Sequence, residues 1–385
     1  MLPKHYIITG GRIYVDGNFL DNMAVEVKGN LIQSVKLLET YSKTLPRINM
    51  DKADTLIPGF IDLHIHGSCG YDVMDASKES LVAISQSMLK QGVCGFLATT
   101  MTASEAMIAN AVSTIGYAYQ EGIVPNLLGI HLEGPFINPT YMGAQPEKYI
   151  QKADYAAFDK WQRLSGGLIR QVTIAPEIEG AIEVIDKLSR ENIILSAGHS
   201  AAKCCLAQRA FSRGITHATH LYNAMSGLDK RQPGLAMAVL LDDKVSAELI
   251  VDGVHLSPEI IKLTVKLLGK ERVILITDAM SAQGAGEGRF QLGGQTVTVK
   301  GNQARLDNGV LAGSILTMNQ ALKNCYHLAE ITLEDAVLMS TFNPAKKLGI
   351  EECYGQIKAG CYACFSVLDE HLTIKDTWFM GQLGA

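Results

Sequence analysis

Eight short apolar runs, each followed by a turn and usually a stretch of helical periodicity, constrain this chain more than any other feature. They lie at residues 56–63, 93–99, 127–132, 169–174, 193–197, 215–219, 245–251 and 273–277. Runs of this length and apolar character suit strands covered on both faces. Between them, residues 80–91 and 178–190 carry the three-and-four spacing of amphipathic helices. Alternation of this kind, repeated eight times, predicts an α/β fold, a parallel (β/α)8 TIM-like barrel. An open α/β sheet shares the same periodicity and is the alternative.

The two ends of the chain read differently. Residues 1–54 and 349–385 alternate around Gly-containing turns, as in YIITGGRIYVDG and GQIKAGCYACFSVLDE. That pattern predicts strands and hairpins, which can pair into one small β-sandwich beside a barrel at 55–348. Residues 282–311 are rich in glycine and predict a loop and hairpin inserted after the eighth strand. Helices are expected near 315–329 and 333–341. Asn343-Pro344 and Gly349 are then expected to punctuate the return to β-structure.

Charge excludes several classes of partner. The net charge is −5, with 19% charged residues, which gives no general attraction to nucleic acid or an anionic membrane. An anionic ligand would need local positive groups. The apolar run at 235–241 is far too short to span a bilayer, and the first residues lack an apolar signal core. The expected location is cytoplasmic. Eight cysteines in 385 residues do not read as a disulfide framework. Cys361 and Cys364 form a CxxC, but a structural zinc site needs a second pair that this chain lacks. They are read as reduced thiols in the small β-region.

Most of the ionisable residues that could carry chemistry fall at or just beyond the ends of the predicted strands, where a barrel of this type keeps its chemistry. His64 and His66 end the first run, His131 and Glu133 the third, His199 the fifth, His220 the sixth and Asp278 the eighth, and His255 follows the seventh. His64 and His66 are two apart and so share a strand face. Taken singly, each has an ordinary reading: HxH is common, a lone histidine is usually a hydrogen-bonded core residue, and Glu133 or Asp278 alone could be a cap. Together they are hard to bury without a cation. Imidazole and carboxylate donors suit zinc, iron, manganese or cobalt. His131 is assigned a supporting position behind the ligands. His5, His217, His327 and His371 are read as structural or exposed.

The segments PGFIDLHIHG, HLEGPF, AGHS, THLYNAM, DGVH and TDAM occur in this order. In this the chain resembles the N-acetylglucosamine-6-phosphate deacetylase family of the amidohydrolase superfamily. The resemblance implies hydrolysis of the acetamide of a small phosphosugar, in amino-sugar catabolism and cell-wall sugar recycling. It implies metal binding by Glu133, His199 and His220. It also implies a second ion at His64 and His66, with Glu133 bridging, and Asp278 as metal contact and proton carrier. Asn223, Ala224 and His255 match substrate contacts. Arg231 matches a phosphate-binding arginine that reaches across a homodimer interface. Where some members carry His after Gly-Ala beyond HLEGPF, this chain has Gln145, which can bind a sugar or amide but carries no charge. Cys364 stands where related chains often have Asp.

Two rival classes are weighed against this reading. Another amidohydrolase, acting on a cyclic amide or as a deaminase, would often bridge its metals with a carboxylated lysine, whereas Glu133 occupies that place here. A binding protein that has lost its chemistry would have no reason to keep Asp278.

Overall fold

In the computed structural model, which describes residues 3–384, the eight runs do form one parallel barrel. Its strands are β1 (Phe60–Ile65), β2 (Val93–Thr100), β3 (Leu127–Glu133), β4 (Ile169–Ile174), β5 (Ile194–Ala197), β6 (His217–Ala218), β7 (Ser246–Ile250) and β8 (Val273–Ile276). Each pairs with the next in parallel. The chain just beyond β8 closes the ring. Asp278 N donates to His64 O at 2.9 Å, and His66 N donates to Ala279 O at 2.8 Å. Every residue of β1 and β2 is buried, because side chains fill the inside and helices cover the outside.

The covering helices begin where the sequence supplies caps. Helix α1 (Lys78–Lys90) starts at Ser77, whose hydroxyl accepts from Ser80 N. Helix α2 (Glu105–Gln120) starts at Ser104, which accepts from Met107 N. Such a cap contributes about 1 kcal/mol. The second helix expected from periodicity is observed as Ala181–Leu188.

The run 56–63 is two strands rather than one. Thr55–Pro58 pairs with Phe365–Leu368 and Arg12–Val15, outside the barrel, and Phe60–Ile65 enters it. Gly59 allows the crossing, since a Cβ there would lie 2.3 Å from Cys94 Sγ. The strand Thr55–Pro58 thereby sits in a six-stranded sheet that draws on both chain ends. A four-stranded sheet, ordered Leu31–Leu37, Met23–Lys28, His5–Thr9 and Arg47–Asn49, faces it. Tyr6, Ile8, Val25, Leu56, Phe365 and Trp378 share the core between them. The two sheets form a β-sandwich.

The insertion after β8 folds as three antiparallel strands, Gly288–Leu292, Gln295–Lys300 and Gln303–Leu306. It has its own core around Met280, Leu292, Val297 and Ala304. Helices Met318–His327 and Leu333–Ser340 follow as expected. Asn343-Pro344 does not end the helical region. It lies in the first turn of a further helix, Phe342–Leu348, where the N–H that proline lacks would have no helical partner. Gly349, at φ +69°, ends that helix. Among the described residues no helix is long and apolar enough to cross a membrane.

Candidate active site

The strand-end residues converge on one point. His64 Nε2 and His66 Nε2 are 3.3 Å apart, and His199 Nε2 and His220 Nε2 are 3.1 Å apart. Glu133 stands between the pairs. Its Oε1 lies 3.4 Å from His64, 3.2 Å from His199 and 3.0 Å from His220, and its Oε2 lies 3.2 Å from His66. Asp278 Oδ1 completes the ring, 3.4 Å from His64 Nε2 and 3.3 Å from His66 Nε2. All six side chains are almost wholly buried.

The other ring nitrogens decide what these atoms can do. His66 Nδ1 is 3.2 Å from Thr99 O, His199 Nδ1 is 2.9 Å from Tyr141 O, and His64 Nδ1 is 3.1 Å from Glu248 Oε2. Carbonyls and carboxylates only accept, so in the neutral ring the proton belongs on Nδ1 and the lone pair on Nε2. Lone pairs aimed at each other over about 3 Å repel unless a proton or cation lies between them. Two groups, His64–His66–Glu133 and Glu133–His199–His220, each bring their ligand atoms within 4.8 Å of one another. The donor set therefore fits a divalent cation, and Glu133 belongs to both groups.

The carboxylates are held ionised. Burial pushes the Glu133 carboxyl up, but the charge of His64 and hydrogen bonds from His199 and His220 hold it well below its usual range. Burial opposes ionisation of Asp278 too, and His64 and His66 outweigh it. Burial would lower His66, yet Asp278 and Glu133 raise it to about 9. The two carboxylates thus favour positive charge among the rings, which a proton or a divalent cation can supply. His131 is driven down to about 3, first by burial and then by His64. Its Nε2 meets Thr173 Oγ1 at 2.7 Å, which agrees with a supporting position.

His199, His220 and Asp278 have φ of +48°, +28° and +49°. For residues other than glycine such backbone costs about 1–3 kcal/mol each and gathers at functional sites. The chain turns sharply as it leaves these strands, and the turn presents the side chain to the centre.

A cavity of about 390 Å³ opens over this centre, within the range of small-molecule sites. Gln145, Asn223, Ala224 and His255 line it, as does Arg305 from the inserted sheet. Gln145 is already engaged: its Nε2 donates to Glu133 Oε2 at 2.7 Å and its Oε1 accepts from Thr102 N at 2.7 Å. His255 is held by Asp252 through its Nδ1 at 2.7 Å. Tyr222 and Ala224 have positive φ, at +76° and +48° on either side of Asn223, whose N–H donates to His220 O at 3.0 Å. Arg231 is exposed and does not line the cavity of its own chain.

Sequence reasoning missed the layer beneath. Glu248 and Asp62 are fully buried. Asp62 Oδ1 accepts from His64 N at 3.2 Å, and burial lifts its pKa to about 7 against the hydrogen bond from Thr277. Both had a signal: an acidic residue inside an apolar strand run must face the barrel interior, and Asp62 shares the alternation of His64 and His66. Of the histidines set aside, His217 is buried against Glu248, His5 pairs with Glu26, and His327 and His371 are exposed. Cys361 and Cys364 are free and buried. A hydrogen bond to Cys364, together with burial, pushes the Cys94 thiol well up.

Residues 55–383 match the model of the Amidohydrolase family. The N-acetylglucosamine-6-phosphate deacetylase of Bacillus subtilis (strain 168) is 42% identical over 366 residues, covering 93% of this chain and 92% of its own. The N-acetylgalactosamine-6-phosphate deacetylase of Escherichia coli O157:H7 is 33% identical over 381 residues, covering 99% of each. The N-acetyl-D-glucosamine-6-phosphate deacetylase of Mycobacterium smegmatis, solved as a mutant in complex with N-acetyl-D-glucosamine-6-phosphate, superposes with a TM-score of 0.93 at 30% identity, covering 99% of each chain. This chain belongs to the amidohydrolase family, in its N-acetylglucosamine-6-phosphate deacetylase branch.

Proposed function

We propose that this chain hydrolyses N-acetylglucosamine 6-phosphate to glucosamine 6-phosphate and acetate. The observation that carries this reading is the convergence of four histidine Nε2 atoms and two carboxylates at the floor of a sugar-sized cavity. Glu133, His199 and His220 would hold one ion, and His64 and His66, sharing Glu133, a second. Zinc, iron, manganese and cobalt all suit the donors. A bound divalent cation supplies an acidified water and positive charge beside the acetyl oxygen.

The chain's own residues do the rest. Asp278 Oδ1 accepts the proton that the attacking water loses and returns it to the departing nitrogen. Its low pKa makes it available as a base. The water oxygen becomes part of the acetate, the C–N bond breaks, and the nitrogen leaves as an amine. His255 and the Asn223-Ala224 backbone bind the sugar phosphate. Arg231 of the partner subunit completes that site in a homodimer, in keeping with its exposure and its absence from the lining of its own cavity. The enzyme works in the cytoplasm, in amino-sugar breakdown and cell-wall sugar recycling.

Acetate release from N-acetylglucosamine 6-phosphate, from its unphosphorylated analogue and from N-acetylgalactosamine 6-phosphate tests the assignment, with metal content measured on the same preparation. The first should be the preferred substrate, and preparations stripped of metal should lose turnover. A clear preference for the galactosamine compound would move the chain to the specificity named for the Escherichia coli relative.

A further inference from the structure

Glu248 lies in the middle of β7 with no exposed surface. Its Oε1 accepts from Gln171 Nε2 at 2.7 Å and meets His217 Nε2 at 3.2 Å. Its Oε2 meets His64 Nδ1 at 3.1 Å and accepts from His220 N at 3.2 Å. Among the described residues its ion-pair partners are His64 and His217, with no lysine or arginine. Gln171 Nε2 and the peptide N–H of His220 can only donate, so both carboxyl oxygens serve as acceptors, as an ionised carboxylate does. A carboxylate in such a place is costly to bury, and an apolar side chain would serve packing better. Its contacts therefore need another explanation.

Those contacts point upward to the two ion-binding groups. Oε2 touches the ring of His64, from the group His64–His66–Glu133, and the peptide of His220, from the group Glu133–His199–His220. His66 and His199 rest on backbone carbonyls, and only His64 has a carboxylate behind it. An ionised carboxylate has no proton to offer. It fixes the His64 proton on Nδ1, turns Nε2 toward the cavity and makes that nitrogen a better donor. The same oxygen ties down the peptide of His220, whose φ of +28° is unusual for histidine. His64, His131 and Glu248 are also close enough to hold an ion. Here, though, the Glu248 oxygens already have four partners, and His131 Nε2 is engaged with Thr173.

Resting on the metal reading above, we infer that Glu248 is the positioning residue that aims His64 at its ion and keeps the two ligand groups in register. It touches neither substrate nor ion and acts through the histidines. Gln is nearly the same size, but its amide would meet at least one of four donors with another donor.

The test is ion affinity, read by zinc titration against a competing chelator, with thermal melting on the same samples. Glu248→Gln should stay folded and weaken the site that His64→Ala removes, by roughly 10- to 100-fold. Glu248→Asp keeps the charge but draws it back by one methylene, and should weaken the same site less. His217→Gln disturbs the far side of Glu248 and should leave affinity near wild type. In the double variant Glu248→Gln/His64→Ala the two losses should not add. Wild-type affinity in folded Glu248→Gln overturns the proposal, and so does loss of stability in both Glu248 variants with no change in affinity. A wild-type protein that binds no zinc, iron, manganese or cobalt overturns the metal reading itself, a distinct result.

Discussion

The two histidine pairs reach the same Glu133 by different routes. His64 and His66 lie at the end of one regular strand, and their spacing alone puts them on a common face. His199 and His220 come from two different strand ends and are aimed by left-handed backbone. The first pair is backed by a carboxylate and a carbonyl. In the second, His199 rests on Tyr141 O, while His220 Nδ1 is buried without a hydrogen-bond partner among the described residues. A regular strand delivers two ligands at little local cost, whereas the strained turns cost about 1–3 kcal/mol each. Strain of that size persists where the fold needs those two nitrogens on Glu133, so the strained pair should form the indispensable half of the centre.

The sharpest way to break that comparison is to delete one ligand from each side. His199→Ala or His220→Ala should remove most bound metal and nearly all turnover. His64→Ala or His66→Ala should lower metal content by up to one ion per chain and leave measurable activity. Elemental analysis and acetate release on the same variants decide it. Equal losses from both pairs would mean that the centre works only as a unit, and wild-type metal content in His199→Ala would remove that residue from the ligand set.

Asp278 has the strained backbone of the second pair but contacts the histidines of the first. Asp278→Asn keeps size and hydrogen bonding but cannot accept the water proton. Substrate affinity should hold while kcat falls by about 10²–10⁴-fold from the lost proton transfer alone. A variant that retains its metal and turns over within a few-fold of wild type would sink this mechanism. Metal content must be read alongside, since loss of an ion would place Asp278 among the ligands instead.

How much of this the sequence could show follows the same division. The barrel was legible because buried parallel strands write themselves as apolar runs, and the candidate ligands because they fall at the run ends. The split of run 56–63 was not legible, since both strands are apolar and only Gly59 marks the boundary. Pro344 misled because its cost to a helix vanishes in the first turn. Glu248 lay hidden within a strand run, where its meaning depends on which residues the closed barrel sets opposite it. The positive φ values at His199, His220 and Asp278 leave no mark in residue type.

Arg231 extends the comparison beyond one chain. It is exposed, lies outside its own cavity and sits in a loop whose Asp229 accepts from Arg231 N at 2.7 Å. A charge-assisted contact is worth about 1.5–3 kcal/mol. Arg231→Ala should therefore raise KM for the phosphosugar roughly tenfold to a hundredfold, with little change for the unphosphorylated analogue. Equal losses on both substrates would show that Arg231 does not read the phosphate. Mixed with Asp278→Asn chains, Arg231→Ala chains should regain partial activity if the arginine serves a neighbouring site.

The smallest expected effect belongs to Gln145, which links the cavity wall to the oxygen of Glu133 that faces His66. Gln145→Ala removes a donor from Glu133 Oε2 and leaves Thr102 N without its acceptor. An orphaned buried donor costs about 1–3 kcal/mol. Gln145 lines the cavity, so water can replace its carbonyl oxygen, and the cost should fall near the lower end of that range. The loss at Glu133 is different, because it frees the carboxylate to swing away from the strand-borne pair. Melting curves with saturating metal and with chelator separate the two effects. If Gln145 acts through Glu133, the variant loses more stability with metal than without it, and only the ion held by His64 and His66 binds more weakly. An equal loss in both conditions would assign Gln145 to Thr102 alone, and weaker binding at His199 and His220 would erase the distinction between the two pairs.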